Sequence, residues 1–224
     1  MLVLVLDSAT PAITAALVRI AGGGVDVIAH RRAVDARAHG ELLAPEIDEA
    51  LRAGGIHPKE LAAIVAGVGP GPFTGLRVGL VTAAALGQAL AIPTYGVCSL
   101  DAIGFGAAGA GPILVATDAR RREVYWAIYT DGRRVEGPAV GPPAEVAVRA
   151  AQAGVQQAYG DGAHRYAEAL GVDVAGEPRY PPAEALAALA AERVRTGAPS
   201  EPLTPLYLRR PDTAPPAERK AVLQ

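Results

Sequence analysis

Gly67-Val68-Gly69-Pro70-Gly71-Pro72-Phe73-Thr74-Gly75-Leu76-Arg77-Val78-Gly79-Leu80 is the stretch that decides how this chain folds. It follows a strand-like apolar segment, Leu61 to Ala66, and leads into a helix opening at Phe73-Thr74. The glycines allow close backbone approach, and Pro70 and Pro72 stiffen the connection. A strand, a rigid turn and a helix N-terminus with unpaired N–H groups can cradle a phosphate. The same sequence also makes a tight strand-to-helix turn that holds no ligand. Both readings remain open from the sequence.

The helix itself carries few polar groups, with only Arg77, Thr82 and Gln88 between Leu76 and Leu90. Gly79, Ala83 and Gly87 fall at i, i+4 and i+8, a stripe along which another backbone can approach. Leu76, Leu80, Val81, Leu86 and Leu90 supply bulk elsewhere around the cylinder. A helix apolar nearly all round is expected to be covered on two sides, by a neighbouring helix of the same fold or by a partner subunit.

The chain's 224 residues, half of them apolar and 20% charged, suit one large domain or two small ones with real cores. A net charge of −2 gives no broad field for nucleic acid. Arg120-Arg121-Arg122 and Arg209-Arg210 are short basic runs that read as solvated faces. Cys98 is the only cysteine, so a disulfide framework is excluded, and it reads as a small core residue at the end of a strand. Met1 to Leu6 reads as a buried strand ending at Asp7, not as a signal peptide. No segment is expected to reach the length of a membrane span, and the expected compartment is the cytoplasm.

Along the chain, Leu2–Leu6, Ile13–Ile20 and Val25–Ala33 read as three strands, antiparallel because the connections are too short for a crossover. A helix from about Ala38 to Ala53 ends at Gly54-Gly55. The strand near Leu61–Ala66, the second helix and a strand at Pro93–Val97 follow. Gly104 to Gly111 is the candidate domain boundary. Beyond it, Pro112–Thr117 ends at Asp118 as Leu2–Leu6 ends at Asp7, and Val124–Thr130 turns through Asp131-Gly132 into Arg133–Glu136. Helical patterns cover Pro143–Ala153, His164–Leu170 and Pro182–Arg195, so the second half reads as a shorter, degenerate copy of the first. The stretch from Ala198 is expected to be extended and packed back on the body before a loose tail. The predicted division is an N-terminal subdomain 1–104, a smaller C-terminal subdomain 112–210 and a tail 211–224.

Several segments together resemble the TsaB (YeaZ) family of tRNA threonylcarbamoyladenosine biosynthesis proteins. They are Leu4-Val5-Leu6-Asp7-Ser8-Ala9-Thr10, His39-Gly40-Glu41-Leu42-Leu43, the Gly69–Leu80 run, Thr117–Tyr125 and Pro205-Leu206-Tyr207-Leu208-Arg209-Arg210. The element order matches the ribonuclease H-like half-domain of actin-like ATPases. The resemblance implies an α/β, actin-like ATPase (ASKHA) fold with two related subdomains. It implies a non-catalytic scaffold that pairs through a helical bundle with a TsaD-type subunit, or with a second copy of itself when alone. In that scheme TsaD transfers threonylcarbamoyl to adenosine 37 of tRNAs reading ANN codons. A TsaE-type ATPase docks on the pair, and tRNA is met only through the complex. The interface residues implied on the two helices are Leu42, Glu46, Ala50, Leu76, Val78, Gly79, Leu80, Thr82, Ala83 and Leu86. On that reading Ala83→Arg would abolish association and leave the fold intact.

Two rival readings make the chain an enzyme. An actin-like kinase or ATPase would hold ATP and a metal at Asp7, Thr10 and Asp118, but neither Asp7-Ser8-Ala9-Thr10 nor Asp118-Ala119-Arg120 has the glycine that closes on a phosphate. A metallopeptidase of the M22 type would need a ligand set. TsaD relatives carry a His-x-x-x-His pair, whereas His39 here has Leu43 at i+4, and His30, His57 and His164 form no pair. His39 is expected to hydrogen-bond at a helix N-terminus. No cofactor or metal is expected.

Overall fold

Five consecutive apolar residues ahead of Asp7 leave β1 (Leu2–Asp7) without a polar face, and it lies mid-sheet, covered on both sides. In the computed structural model, which describes residues 1–107, 109 and 111–209, β1 pairs antiparallel with β2 (Ala12–Ala21). On its other edge it runs parallel to β4 (Ala63–Gly67). β3 (Gly24–Val34) and β5 (Thr94–Val97) complete the order β3-β2-β1-β4-β5. Leu4 and Leu6 point into a core shared with α1 (His39–Gly54) and α2 (Phe73–Leu90), while Val3 and Val5 point to the opposite face. Gly55, at φ 64°, ends α1 in the left-handed turn that its sequence predicts.

The second half repeats this plan element by element. β6 (Pro112–Asp118), β7 (Val124–Thr130) and β8 (Arg133–Gly141) form the antiparallel meander, followed by α4 (Pro143–Gln152). β9 (Gln157–Tyr159) then pairs parallel with β6, and β10 (Asp173–Val174) with β9. The order β10-β9-β6-β7-β8 is the first sheet's order with shorter strands. Between β9 and β10, the single helix expected at His164–Leu170 is instead two short ones, α5 (Asp161–Arg165) and α6 (Ala167–Leu170). This is the actin-like, ribonuclease H-like α/β fold with a degenerate second copy.

The two halves interlock through their last helices. α3 (Ser99–Gly106) belongs by sequence to the first half, yet it packs on β6, β7 and β8. α7 (Ala183–Thr196) belongs to the second, yet its Ala183, Leu186, Ala187, Ala190 and Val194 cover the Val3, Val5, Val18 and Val65 face of the first sheet. The Gly/Ala-rich stretch read as a boundary therefore begins inside a packed helix. Cys98 is not a strand residue: β5 stops at Val97, and Cys98 precedes α3, buried, with its thiol pushed up to about 11 by burial. Residues 211–224, predicted as a tail, lie outside the described residues.

Contrary to the sequence expectation, one segment does reach the length and composition of a membrane span, namely α2 itself. Its inner stripe accounts for part of that apolarity, because Leu76, Leu80 and Ala83 are core residues on a helix that packs on β4, β1 and β5.

Candidate functional site

Two places are candidates: the ends of the central strands, and the outer face of α2. At the first, the turn that was read as a possible phosphate cradle is filled by the chain's own β1–β2 connection. The carbonyl of Ala9 lies 2.2 Å from where a Cβ on Gly71 would stand, so backbone touches backbone there. The Ser8 hydroxyl donates to the Gly75 carbonyl at 2.8 Å and accepts from the Gly79 amide at 3.0 Å. Two backbone groups within the first two turns of α2 are thus satisfied by the chain itself.

Asp7 is wholly buried. Its Oδ2 accepts from Ser99 Oγ at 2.6 Å and its Oδ1 from the Ala9 amide at 3.1 Å. Burial raises its pKa from 3.8 to about 6, against the opposing pull of the Ser99 hydrogen bond. Thr10 Oγ1 accepts from the Ala12 amide at 3.2 Å, and the Thr10 carbonyl accepts the Nε2–H of His39 at 2.8 Å. His39 is thus the buried, hydrogen-bonding first residue of α1, as predicted. A cleft of about 210 Å³ remains beside Ser8, Thr10, His39 and Thr74, with Arg120 at its rim.

Asp118, the second-half counterpart of Asp7, is tied up differently. Arg165 Nη1 donates to its Oδ2 at 3.3 Å, and the Arg120 amide to its Oδ1 at 3.2 Å. The structure holds Asp7 and Asp118 through separate sets of partners. It adds a residue that sequence reasoning missed, Asp161, buried at the start of α5. Burial and the neighbouring Asp118 carboxylate push Asp161 up to about 6, and its Oδ1 has no hydrogen-bond partner. The signal available was Tyr159-Gly160-Asp161, an acid just after a strand parallel to β6. Among the described residues, no group of three or more His, Cys, Asp or Glu is placed to hold a metal ion.

The outer face of α2 is the second candidate. Val81 is 66% exposed and Phe73 41%, with Val78, Thr82 and Leu86 half-buried beside them. An open groove of about 520 Å³ runs along Phe73, Thr74, Arg77, Val78, Val81 and Thr82. On α1, Leu42 and Glu46 are half-buried, and Arg31 of β3 reaches Glu46 at 3.9 Å and Glu49 at 3.3 Å. The remaining predicted interface residues need correction: Leu76, Gly79, Leu80 and Ala83 on α2, and Ala50 on α1, are buried inside the chain. The small-residue stripe faces inward: Gly79 lies against Ser8 of the β1–β2 turn, Gly87 against Thr94 of β5, and Ala83 is fully buried between them. Of the residues expected at an interface, Leu42, Glu46, Val78, Thr82 and Leu86 are partly exposed on the outer sides of α1 and α2, where Phe73 and Val81 are exposed as well.

The family model for TsaD, tRNA N6-adenosine threonylcarbamoyltransferase, matches residues 27–187. An uncharacterized protein of Mycobacterium leprae is 48% identical over 96% of this chain, which spans 56% of that protein. The tRNA threonylcarbamoyladenosine biosynthesis protein TsaB of Escherichia coli is 36% identical over 58% of this chain and 55% of its own length. The chain thus spans little more than half the length of these two relatives in the matched region. The solved structure of YeaZ from Pseudomonas aeruginosa superposes with a TM-score of 0.74 at 30% identity, covering 92% of this chain and 99% of that one. A match across nearly the whole of YeaZ, in a chain whose two halves each carry the same strand order, places it: this chain belongs to the TsaB (YeaZ) family.

Proposed function

We propose that this chain is a non-catalytic scaffold subunit in the synthesis of N6-threonylcarbamoyladenosine at position 37 of tRNAs that read ANN codons. It docks on a TsaD-type transferase through the outer face of α2 beside α1, and forms a homodimer through the same face when alone. The observation that carries this reading is the pair of exposed apolar residues Phe73 and Val81, with half-buried Val78 between them, on a helix whose other side is locked in the core. Removing such side chains from water gains about 25 cal/mol per Å², less the cost of association. The match of residues 27–187 to the transferase family model supports a partner of related architecture, able to offer an equivalent pair of helices. A TsaE-type ATPase joins through the pair, tRNA is met through the complex, and the assembly works in the cytoplasm. The burial of Asp7 and the closed turn beneath α2 favour the scaffold over an ATPase.

The test is light scattering of the purified chain, alone and with its cognate TsaD-type subunit. A heterodimer that Val81→Asp abolishes supports the reading. A wild-type chain that stays indifferent to that subunit overturns it.

A further inference from the structure

After α7 the chain crosses back over the body as a strap. The Glu201 amide donates to the Thr94 carbonyl at 2.9 Å, and the Leu206 amide to the Val68 carbonyl at 2.8 Å. Leu206 and Leu208 lodge against the core beneath α3 and the second sheet. Arg209 then pairs with Glu123 and donates to the Ala119 carbonyl at 2.9 Å, which fixes the strap to the β6–β7 connection. Between these anchors Tyr207 lies on the first turn of α2. Its ring stacks on Phe73 with centroids 5.1 Å apart. The Arg77 guanidinium lies 3.6 Å from the Phe73 ring centroid, and Arg77 Nε donates to Tyr207 Oη at 2.8 Å.

One segment thus holds the edge of the first sheet, the end of the α2 groove and a hairpin of the second half. We propose that this strap regulates the docking face: its seating across the two halves and the binding of the TsaD-type subunit to α2 are thermodynamically linked, with Tyr207 inside the surface the partner covers. The proposal rests on the function inferred above. Tyr207 and Phe73 are 38% and 41% exposed and share one stack, so a partner that closes over Phe73 closes over Tyr207 as well. Tyr207 holds its place because Leu206, Leu208 and Arg209 are anchored in the other half. Unseating those anchors withdraws an aromatic contact from the partner, and linkage makes the effect reciprocal.

Two measurements decide it: hydrogen exchange of the wild-type chain with and without the TsaD-type subunit, and titration of that subunit with wild type, Arg209→Ala and Val81→Asp. The subunit is expected to slow exchange of the Leu206 and Glu201 amides. Arg209→Ala, which removes contacts to Glu123 and Ala119 and none to α2, is expected to bind about five-fold more weakly or worse. Unchanged exchange in the strap with wild-type affinity of Arg209→Ala, while Val81→Asp fails to bind, overturns the strap proposal alone. Should Arg209→Ala not fold, the exchange arm on the wild-type chain still decides. No binding by the wild type, or unchanged binding by Val81→Asp, overturns the function reading and this proposal with it.

Discussion

The Ser8 hydroxyl is 3.0 Å from the Gly79 amide and 2.8 Å from the Gly75 carbonyl, bridging two groups that an undisturbed helix pairs with each other. A side chain of the β1–β2 turn is therefore inserted beside the backbone of α2. That contact requires a residue without a Cβ at position 79, since one built there would stand 2.3 Å from Ser8 Oγ.

Gly79→Ala should destabilise the chain by about 2–3 kcal/mol, through overpacking against a backbone-anchored turn. Ser8→Ala should cost only about 1 kcal/mol, because the helix amide and carbonyl it frees can pair with each other. Urea unfolding of both variants checks the order. Equal stability of Gly79→Ala and wild type would show that the turn can move away.

Ala83→Arg and Val81→Asp separate the two sides of α2. Ala83 is fully buried in the core, so an arginine there should prevent folding, seen as loss of a cooperative thermal transition. Val81→Asp lies on the exposed side and should keep the wild-type stability to within about 0.5 kcal/mol while losing the partner. A folded Ala83→Arg would put the stripe back at an interface.

Asp7 gives stability a pH dependence of known sign. Its folded pKa of about 6 lies above the ordinary 3.8, so the native state holds the proton more tightly than the unfolded chain. Stability is therefore greatest below the unfolded pKa, falls as pH rises between about 4 and 6, and is flat above. That difference in pKa corresponds to about 3 kcal/mol, and Asp161, also raised to about 6, adds a fall in the same direction. Denaturation midpoints at pH 4, 5, 6 and 7 should show the decline, and Asp7→Asn should remove part of it. A midpoint that rises across this range would contradict the burial of these carboxylates.

Millimolar ATP with Mg²⁺ should leave the thermal midpoint unchanged, because a ligand raises it only by binding the folded form. Saturable stabilisation by ATP, lost in Arg120→Ala, would reopen the 210 Å³ cleft beside Thr10 and His39 as a nucleotide site.

Much of the first half was legible because its strands are long and its helices have punctuation: Leu2–Leu6 with no polar face, Gly54-Gly55 after α1, the Gly/Pro turn before α2. β9 and β10 were not, since three and two residues carry no readable alternation. α3 was hidden because its sequence, Ser-Leu-Asp-Ala-Ile-Gly-Phe-Gly, has helix-weakening glycines and is held by packing on the second sheet. The inward side of α2 was not legible for a related reason. Alanine and glycine score as apolar on either side of α2, and only the position of Ser8 says which side is inward. Asp161 could be found only after β9 was known to run parallel to β6.

The exchange of α3 and α7 between the halves has a consequence for how the chain comes into being. During synthesis the first sheet can pair its strands and receive α1 and α2 early, but its Val3, Val5, Val18 and Val65 face has no cover until residues 183–196 emerge. The nascent chain therefore carries a bare, sticky face for most of its birth, and a fragment ending near residue 110 would keep it for good. A half-length product would leave that face open to solvent, so each half depends on the other for its cover.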